Sequence, residues 1–410
     1  MKNRYNYYSP ALLNVDGTLV TVSCMAKAGR EWGYNRLVCE RQTPDGEMQK
    51  TYPVCAPPAR VINDSPENMK TAFFAAPSLA RAADGSLVLT ATLFPESKGA
   101  ADKKLLEKKK LACAYCDGKR CPLIYDRDGN FFYILDDGSV LDKHKQPTEY
   151  TVKPLGELYK GEEYIGNIYL NGAKGKPDEE NKTTHGAPLK APKRSYILVF
   201  RSTDGGVTWS APRDITPMLL GEKDMPWLTT VPGRALTTES GRIIVPLTDG
   251  TEDICIYSDD NGETWCRNQR QPFTGTRGDW VVFETPSRHI YGYAARKGKL
   301  SSAMSPDNGI IWTKGDKPKI HPGKAPMSVL VLGEQLLLSH AGDGEGVIEI
   351  ADFITDRKGN FKGLDWRKES ARLDASIGSS CLAEIDDETV AIAYEDTEKN
   401  DITIQFIKMK

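Results

Sequence analysis

Short runs of alternating apolar and polar residues recur along the chain, and this period of two predicts β-strands rather than helices. The clearest runs cover residues 11–22, 85–93 and 241–247, are rich in β-branched side chains, and are preceded or interrupted by a glycine-containing turn. Only residues 102–112 have a pattern that favours a helix, with three leucines set in a run of lysines. We therefore expect an all-β protein with one short helix.

One turn pattern, Ser/Thr-x-Asp-x-Gly-x-x-Trp, occurs three times, at residues 202–209, 258–265 and 305–312. In each copy the glycine allows the backbone to reach positive φ, the aspartate can accept hydrogen bonds from turn amides, and the tryptophan can pack beside the hairpin. A version without the tryptophan occurs at residues 43–47. A repeat of roughly 50 residues is typical of a propeller blade, so the pattern predicts a six-bladed β-propeller.

The segment from about residue 101 to residue 190 interrupts this repeat. It contains the turns Asp128-Gly129 and Asp137-Gly138, followed by a loop rich in glycine, lysine and proline at residues 171–181. We expect a small β-rich insertion at 101–190 between propeller segments 1–100 and 191–410, and we favour a surface decoration over a direct role in ligand binding.

Charge and composition exclude several kinds of partner. The chain has 54 basic and 56 acidic residues, intermixed, for a net charge of −2, so no basic surface for a nucleic acid is predicted. No apolar run approaches the ~18 residues of a membrane span. The segment Met1–Tyr5 leads directly into polar sequence, which indicates a cytosolic protein or one whose leader has been removed.

Nine cysteines, an odd number, favour reduced thiols over a disulfide framework. Cys113, Cys116 and Cys121 have the spacing of three zinc ligands, but His144 is the closest histidine and a fourth ligand is not apparent. We expect no metal and no cofactor.

Several motifs, in the same order along the chain, are similar to those of bacterial sialidase catalytic domains of the large, clostridial type. This resemblance covers nearly the whole chain and implies the same propeller fold with an insertion. The motifs are Tyr8-Ser-Pro-Ala-Leu-Leu, Phe94-Pro-Glu-Ser-Lys-Gly, residues 158–169, residues 209–217 after the first complete turn repeat, Ser380-Cys-Leu, and Tyr394-Glu395.

The resemblance implies three arginines that bind the carboxylate of sialic acid. The first position is occupied by Tyr8, the second by Arg296, and the third falls at Glu345. One cation is therefore retained, one is replaced by a phenol and one by an anion. A further carboxylate that contacts sugar hydroxyls in the family is replaced around residues 75–77.

The resemblance also implies an acid/base carboxyl group, for which Glu31 stands where an aspartate is usual. It implies a nucleophilic tyrosine, whose position holds Ser379, and a glutamate that activates the tyrosine, matched by Glu284. A serine with no base beside it is a poor nucleophile. The alternative for Glu284 is an exposed strand residue paired with Arg288.

Two functions fit these residues. One is a sialidase-like exo-glycosidase that acts on terminal, sialic-acid-like sugars of glycans. With Glu31 as general acid and Glu284 as general base it would invert, if the two carboxyl groups lie roughly 6.5–9.5 Å apart; near 5 Å, one of them would instead be the nucleophile of a retaining hydrolysis. The other is a propeller that binds glycans without cleaving them. In that second case Tyr8, Trp32, Trp227 and Trp280 are candidate aromatic platforms for a sugar ring, and Trp32 and Trp227 are preferred.

Overall fold

The computed structural model is an all-β protein in which six sheets form the blades of a propeller, as the repeat predicts. The described part of the chain excludes residues 102–109 of the expected helix and the side chains of Thr274 and Arg296. The described residues are 5–27, 34–43, 52–59, 71–96, 110–171, 186–220, 227–274, 279–296, 299–315, 318, 320, 326–342, 345–358, 361–368, 371–373 and 375–409.

A separate seven-stranded sheet interrupts blade two in the sequence, because it lies between the second and third strands of that blade. The strands of blade one are β1 (Tyr5–Val15), β2 (Thr18–Lys27), β3 (Asn35–Gln42) and β4 (Tyr52–Cys55). Those of blade two are β5 (Phe73–Arg81), β6 (Leu87–Phe94), β14 (Tyr196–Ser202) and β15 (Arg213–Asp214). The insertion sheet contains β7 (Cys113–Cys116), β8 (Lys119–Tyr125), β9 (Phe131–Ile134), β10 (Ser139–Leu141), β11 (Pro147–Lys153), β12 (Glu157–Lys160) and β13 (Glu163–Asn167), with a 3₁₀ turn at Pro154–Gly156.

The other four blades follow along the chain, after one helical turn, α1 (Thr216–Leu219). Blade three has β16 (Thr229–Thr230), β18 (Leu236–Thr237), β19 (Ile243–Thr248), β20 (Glu252–Ser258), β21 (Cys266–Arg267) and β22 (Phe273–Thr274). The short strand β17 (Gly233–Arg234), between β16 and β18 in the sequence, pairs in parallel with β5 of blade two. Blade four has β23 (Trp280–Glu284), β24 (Ile290–Arg296), β25 (Lys299–Ser305) and β26 (Thr313–Lys314). Blade five has β27 (Ser328–Leu332), β28 (Gln335–Ala341), β29 (Gly346–Thr355), β30 (Phe361–Trp366) and β31 (Ala371–Leu373), and blade six has β32 (Ile377–Asp386), β33 (Thr389–Asp396) and β34 (Asp401–Lys408).

The strand register defines two faces of the propeller. The three complete turn repeats follow β14, β20 and β25, the third strands of their blades, so they lie on one face, which we call the Asp-box face. In blade three, Ile243 pairs with Ser258 at this face, whereas Thr248 pairs with Asp253 at the opposite end. We call the opposite face the mouth face; it contains the starts of the inner strands β1, β5, β23, β27 and β32 and of the third strands.

Each turn repeat is held by its own side chains. In the first copy, the amide of Gly206 donates to Ser202 Oγ at 2.8 Å, and the amide of Thr208 donates to Asp204 Oδ1 at 2.9 Å. Trp209 Nε1 donates to the carbonyl oxygen of Gly206 at 3.2 Å. The second and third copies repeat these bonds. The repeated aspartates are therefore used by turn amides and do not point to catalysis.

Arginines connect the turn repeats to neighbouring blades. Arg213 of blade two donates to the carbonyl oxygen of Gly262 in the second repeat at 2.7 Å. Arg242 of blade three donates to the carbonyl oxygen of Asn308 in the third repeat at 2.8 Å. The Asp-box face thus carries bonds between blades as well as within them.

The Asp204 carboxylate gives a prediction for acid stability. Partial burial raises its pKa, but hydrogen bonds from Thr208 and Ser202 outweigh burial and lower the pKa to about 2. Because this pKa is lower in the folded protein than in the unfolded chain, where it is near 4, the ionised carboxylate stabilises the fold at pH values above about 4. This stabilisation is lost as the pH falls towards 2. We expect Asp204→Asn to destabilise the protein in urea unfolding at pH 6, by an amount that shrinks as the pH is lowered to 2.5. Asp387 lies on an exposed turn and serves as the control. If the loss of stability in Asp387→Asn decreased with pH in the same way, the effect would not come from the hydrogen bonds of Asp204.

The insertion joins the propeller at the mouth face, because it leaves β6 and returns to β14 where Leu93 pairs with Tyr196. Tyr169 packs edge-on against Tyr196 with ring centroids 5.0 Å apart. The amide of Asn171 donates to the Glu96 carboxylate at 2.8 Å. Apolar side chains of the insertion and of blades one and two share one core cluster. The domain boundaries at residues 101 and 190 stay a prediction.

Candidate functional site

Three inner strands of the propeller are bulged at their mouth ends. The register shifts between Tyr8 and Ala11 in β1, between Ala75 and Ser78 in β5, and after Ile377 in β32. A bulge adds a residue to one strand, bends it and redirects side chains, and such bulges are common next to functional sites. The three bulges belong to consecutive blades, six, one and two.

Two of these bulges contain strained backbone. Ser9 has φ 54° and Ala76 has φ 50°. Both values lie in the left-handed region of backbone conformation, which residues other than glycine rarely adopt. Such a conformation costs of order 1–3 kcal/mol and persists only where the surroundings enforce it. The bulges coincide with three positions taken from the resemblance: Tyr8, residues 75–77 and Ser379.

The side chain of Tyr8 is fixed by blade one and blade two. Its hydroxyl accepts a hydrogen bond from Asn35 Nδ2 at 2.7 Å. The amide of fully buried Asn35 also bonds both backbone groups of Phe74, at 2.6 and 2.8 Å. Because the phenol carries no charge at neutral pH, it cannot bind a carboxylate as an arginine would.

Ser379 and Glu345 lie on the mouth face in blades six and five. Ser379 is 5% exposed, and its hydroxyl donates to Glu395 Oε2 at 3.1 Å. Glu345 is exposed and pairs with Arg372 at 3.2 Å. The third arginine position is thus an anion with a cation beside it.

Glu284 does not lie with these residues. It is the last residue of β23 and pairs with Ile290, which in turn pairs with Ser305 at the Asp-box face. Arg296 ends β24 at the mouth face, six residues along the strand from Ile290, so the two positions are roughly 20 Å apart at about 3.3 Å per residue. Glu284, which was expected to be the general base, therefore lies at the end of the blade away from the mouth.

The environment of Glu284 is that of a structural carboxylate. Burial raises its pKa, and Oε2 accepts a hydrogen bond from the amide of Glu239 at 2.8 Å. Arg288, the partner considered for Glu284, forms its ion pair with Glu239 instead. Glu284 therefore helps to join blades three and four on the Asp-box face.

Asp279 is the carboxyl group at the mouth end of blade four, and the motif comparison missed it. It immediately precedes β23, and its carbonyl oxygen accepts a hydrogen bond from the amide of Ala295 at 2.9 Å, next to Arg296. Burial, with a smaller contribution from the charge of Asp253, raises its pKa to about 6. In an antiparallel hairpin, the start of one strand lies opposite the end of the next, and this rule would have selected Asp279.

The remaining candidates differ in their placement. Glu31 and Trp32 lie outside the described residues, between strands β2 and β3. Trp227 is half-buried at the mouth end of blade three, beside Leu228, whose amide donates to Ser195 Oγ at 2.6 Å. Trp280, in contrast, is fully buried between blades, which excludes it as a sugar platform.

The cysteine motif of the insertion does not gather three thiols. Cys113 pairs with Pro122, whereas Cys121 pairs with Ala114, in the hairpin of β7 and β8. Because side chains alternate across a strand, Cys113 points to the opposite side from Cys116 and Cys121. Among the described residues, no group of three or more His, Cys, Asp or Glu side chains could hold a metal ion. Within the same part of the chain, no helix is long and apolar enough to cross a membrane.

Comparison with known proteins agrees with this fold. A family model for a BNR repeat-like domain matches residues 183–314. A sialidase of Bacteroides fragilis (strain YCH46) is 29% identical over 236 residues, which are 53% of this chain and 42% of that protein. A sialidase of Clostridium perfringens is 33% identical over 133 residues, 28% of this chain and 34% of that protein. The matched regions span less than half of either relative.

Solved structures resemble nearly the whole chain. The intramolecular trans-sialidase of Ruminococcus gnavus, in complex with oseltamivir carboxylate, has a TM-score of 0.78 at 20% identity and covers 98% of this chain and 94% of that one. A leech intramolecular trans-sialidase complexed with 2,7-anhydro-Neu5Ac has a TM-score of 0.79 at 19% identity, covering 98% and 68%. At these identities the likeness shows the fold. The protein is a six-bladed β-propeller with a BNR repeat-like domain. Over part of its length its sequence is similar to bacterial sialidases.

Proposed function

We propose that the mouth face binds the terminal sugar of a glycan and hydrolyses its glycosidic bond, as a sialidase-like exo-glycosidase that uses carboxyl groups in place of the missing tyrosine. The observation that carries this proposal is Asp279, a half-buried carboxyl group with a pKa of about 6 at the mouth end of blade four. A carboxyl group whose pKa is raised to about 6 is still largely protonated at mildly acidic pH and can donate a proton to a leaving oxygen, which is the first requirement of glycoside hydrolysis.

Asp279 is the general acid of this proposal, and Glu284, which was expected to be the general base, has no role in it because Glu284 lies on the Asp-box face. Glu31, which lies outside the described residues, is proposed as the alternative general acid on the resemblance alone. Trp32 and Trp227 remain the proposed platforms for the sugar ring. Trp227 has a mouth-face position that supports such a contact.

The substrate class follows from the relatives and is limited by the charges. The sialidases that resemble this chain support a sialic-acid-like terminal sugar. Of the three arginine positions, Arg296 alone keeps a cation, and Glu345 adds an anion. Each hydrogen bond to a charged group contributes roughly 1.5–3 kcal/mol, so a sialate carboxylate is expected to bind more weakly here than at three arginines.

The test is an NMR time course with 3′-sialyllactose, and with lactose and N,N′-diacetylchitobiose as oligosaccharides that end in a neutral sugar. We expect the wild type to release a monosaccharide from at least one of them, and Glu31→Gln and Asp279→Asn, assayed in parallel, to show which carboxyl group is the acid. Monosaccharide release that persists in both variants would contradict carboxyl-group catalysis.

A second function, glycan binding without cleavage, is favoured by one observation. Ser379 stands in place of the phenol, and its hydroxyl is bound to Glu395 rather than to a base that could activate it. In that case the same NMR experiment would show line broadening of the sugar signals with no product.

A further inference from the structure

Glu395 lies opposite the bulge of blade six. Ile377 of β32 pairs with Asp396 of β33, and Ser380 pairs with Tyr394. Two residues of the inner strand, Gly378 and Ser379, therefore oppose the single residue Glu395. A bulge with this two-to-one count bends the inner strand and changes the direction of the side chains around it.

Gly378 makes room for the Glu395 carboxyl group. A Cβ atom placed on Gly378 would lie 2.8 Å from Glu395 Cδ and 2.9 Å from Oε2, closer than real contacts allow. The carboxylate of a second-strand residue thus lies directly over the inner strand, at the mouth end of the blade. A larger residue at position 378 would displace the Glu395 carboxyl group, so this close approach, and not a positive φ, favours glycine here.

Ser379 holds one oxygen of this carboxylate and leaves the group partly open to solvent. The hydroxyl donates to Oε2 at 3.1 Å, and the Glu395 residue is half-buried. Burial, and then the charge of Glu395, raise the pKa of the Cys24 thiol in blade one. Cys24 is the register partner of Tyr8, so the carboxylate lies near the junction of blades six and one, beside the Tyr8 strand.

We propose that Glu395 is the general base of the site, acting from the place where the resemblance expects the nucleophilic tyrosine. This inference rests on the proposed glycosidase function. A serine side chain is shorter than a tyrosine side chain by the whole phenol ring. With Ser379 in place of the tyrosine, a water molecule can occupy the position of that ring, between the Glu395 carboxylate and a bound sugar.

The reaction is a hydrolysis in one displacement. Glu395 takes a proton from water, and the water oxygen bonds to the anomeric carbon as the bond from that carbon to the leaving oxygen breaks. The leaving oxygen takes the proton of Asp279. The two carboxyl groups then exchange the proton through solvent, and the sugar is released with inverted anomeric configuration. No tyrosine, metal or covalent intermediate is needed.

The experiment compares Glu395→Gln with Glu398→Gln, a matched variant on the exposed turn after β33, using 4-nitrophenyl glycosides of N-acetylneuraminic acid, galactose and N-acetylglucosamine. We expect Glu395→Gln to lower kcat at least about 100-fold with KM changed less than threefold, and Glu398→Gln to match the wild type. Thermal unfolding of each variant shows whether the fold is kept. If Glu395→Gln does not fold, Glu395→Asp, which keeps the charge, is measured instead, with an expected loss of about tenfold.

Two further readouts separate a base from a merely structural carboxylate. In Glu395→Ala, 1 M sodium azide is expected to restore turnover and yield a glycosyl azide, because azide attacks without losing a proton. The first sugar released by the wild type is expected to be the inverted anomer. If the wild type is active, three results would each overturn the role of Glu395. They are a retained anomer as the first product, no rescue of Glu395→Ala by azide, and full activity of Glu395→Gln. A wild type that cleaves none of the three glycosides would overturn the proposed function itself.

Discussion

Replacement of Asp279 by asparagine is expected to lower kcat/KM for glycoside hydrolysis by about 10² to 10⁴, the usual contribution of a general acid. The side chain keeps its size but can no longer donate a proton to the leaving oxygen. Because the acid must be protonated to act, wild-type kcat is expected to fall as the pH rises through about 6, the pKa of Asp279. The variant is expected to lose this limb of the pH profile.

The matched control is Glu284→Gln, which changes a partly buried carboxyl group at the other end of the same strand. We expect its kcat/KM to stay within twofold of the wild type, because Glu284 bonds the backbone of Glu239 on the Asp-box face. An inactive Glu284→Gln beside an active Asp279→Asn would return the catalytic role to Glu284.

A stability measurement separates loss of chemistry from loss of fold in Asp279→Asn. The folded-state pKa of about 6 lies above the ordinary value near 4, so the folded protein binds more protons and stability falls as the pH rises between these values. An unscreened shift of this size corresponds to about 3 kcal/mol, and solvent reduces it to about 1–2 kcal/mol at a half-buried group. Asp279→Asn is therefore expected to be more stable than the wild type in urea at pH 8, and equal to it at pH 3.5.

The largest loss of stability is expected at the residue next to Asp279. Trp280 is fully buried, and its ring meets Phe273 and Trp312 edge-on, with centroids 5.9 and 6.3 Å away. Its Nε1 donates to the carbonyl oxygen of Leu247 in blade three at 3.0 Å. Trp280→Ala is expected to lower the free energy of unfolding by about 3–5 kcal/mol, because it removes these contacts and leaves a cavity between two blades.

Urea unfolding of Trp280→Ala is compared with that of Trp280→Phe and Trp227→Ala. The phenylalanine variant keeps most of the aromatic packing, so it is expected to lose less than half as much stability. Trp227 is half-buried, and its removal is expected to affect sugar binding more than stability. A Trp280→Ala variant as stable as Trp227→Ala would mean that the interface of blades three and four does not depend on the buried ring.

The fold was predictable because its signal is local. Each turn repeat binds its own amides through residues four or fewer positions apart, as Asp204 does with Thr208, so the sequence pattern contains the whole motif. The strand alternation and the spacing of the repeats then fix the blade number. The insertion was visible for the opposite reason, as the region where the repeat stops.

The site was less predictable, because it depends on which end of a strand a residue occupies. Glu284 and Asp279 lie at opposite ends of β23, and only the hairpin register shows that Asp279 is near Arg296. The bulges were also hidden, since one extra residue in β1, β5 or β32 changes the direction of side chains without changing composition. The contact between Glu395 and Gly378 depends on the bulge in β32, so the sequence alone does not indicate a role for Glu395.

The bonds that Arg213 and Arg242 make to neighbouring turn repeats have an evolutionary consequence. They hold adjacent blades together on the face away from the mouth, through the carbonyl oxygens of Gly262 and Asn308. Substitutions at Tyr8, Glu345 or Ser379 leave these bonds intact. Selection can therefore exchange the residues of the mouth one at a time, and a lineage of such propellers can change its chemistry without passing through an unfolded ancestor.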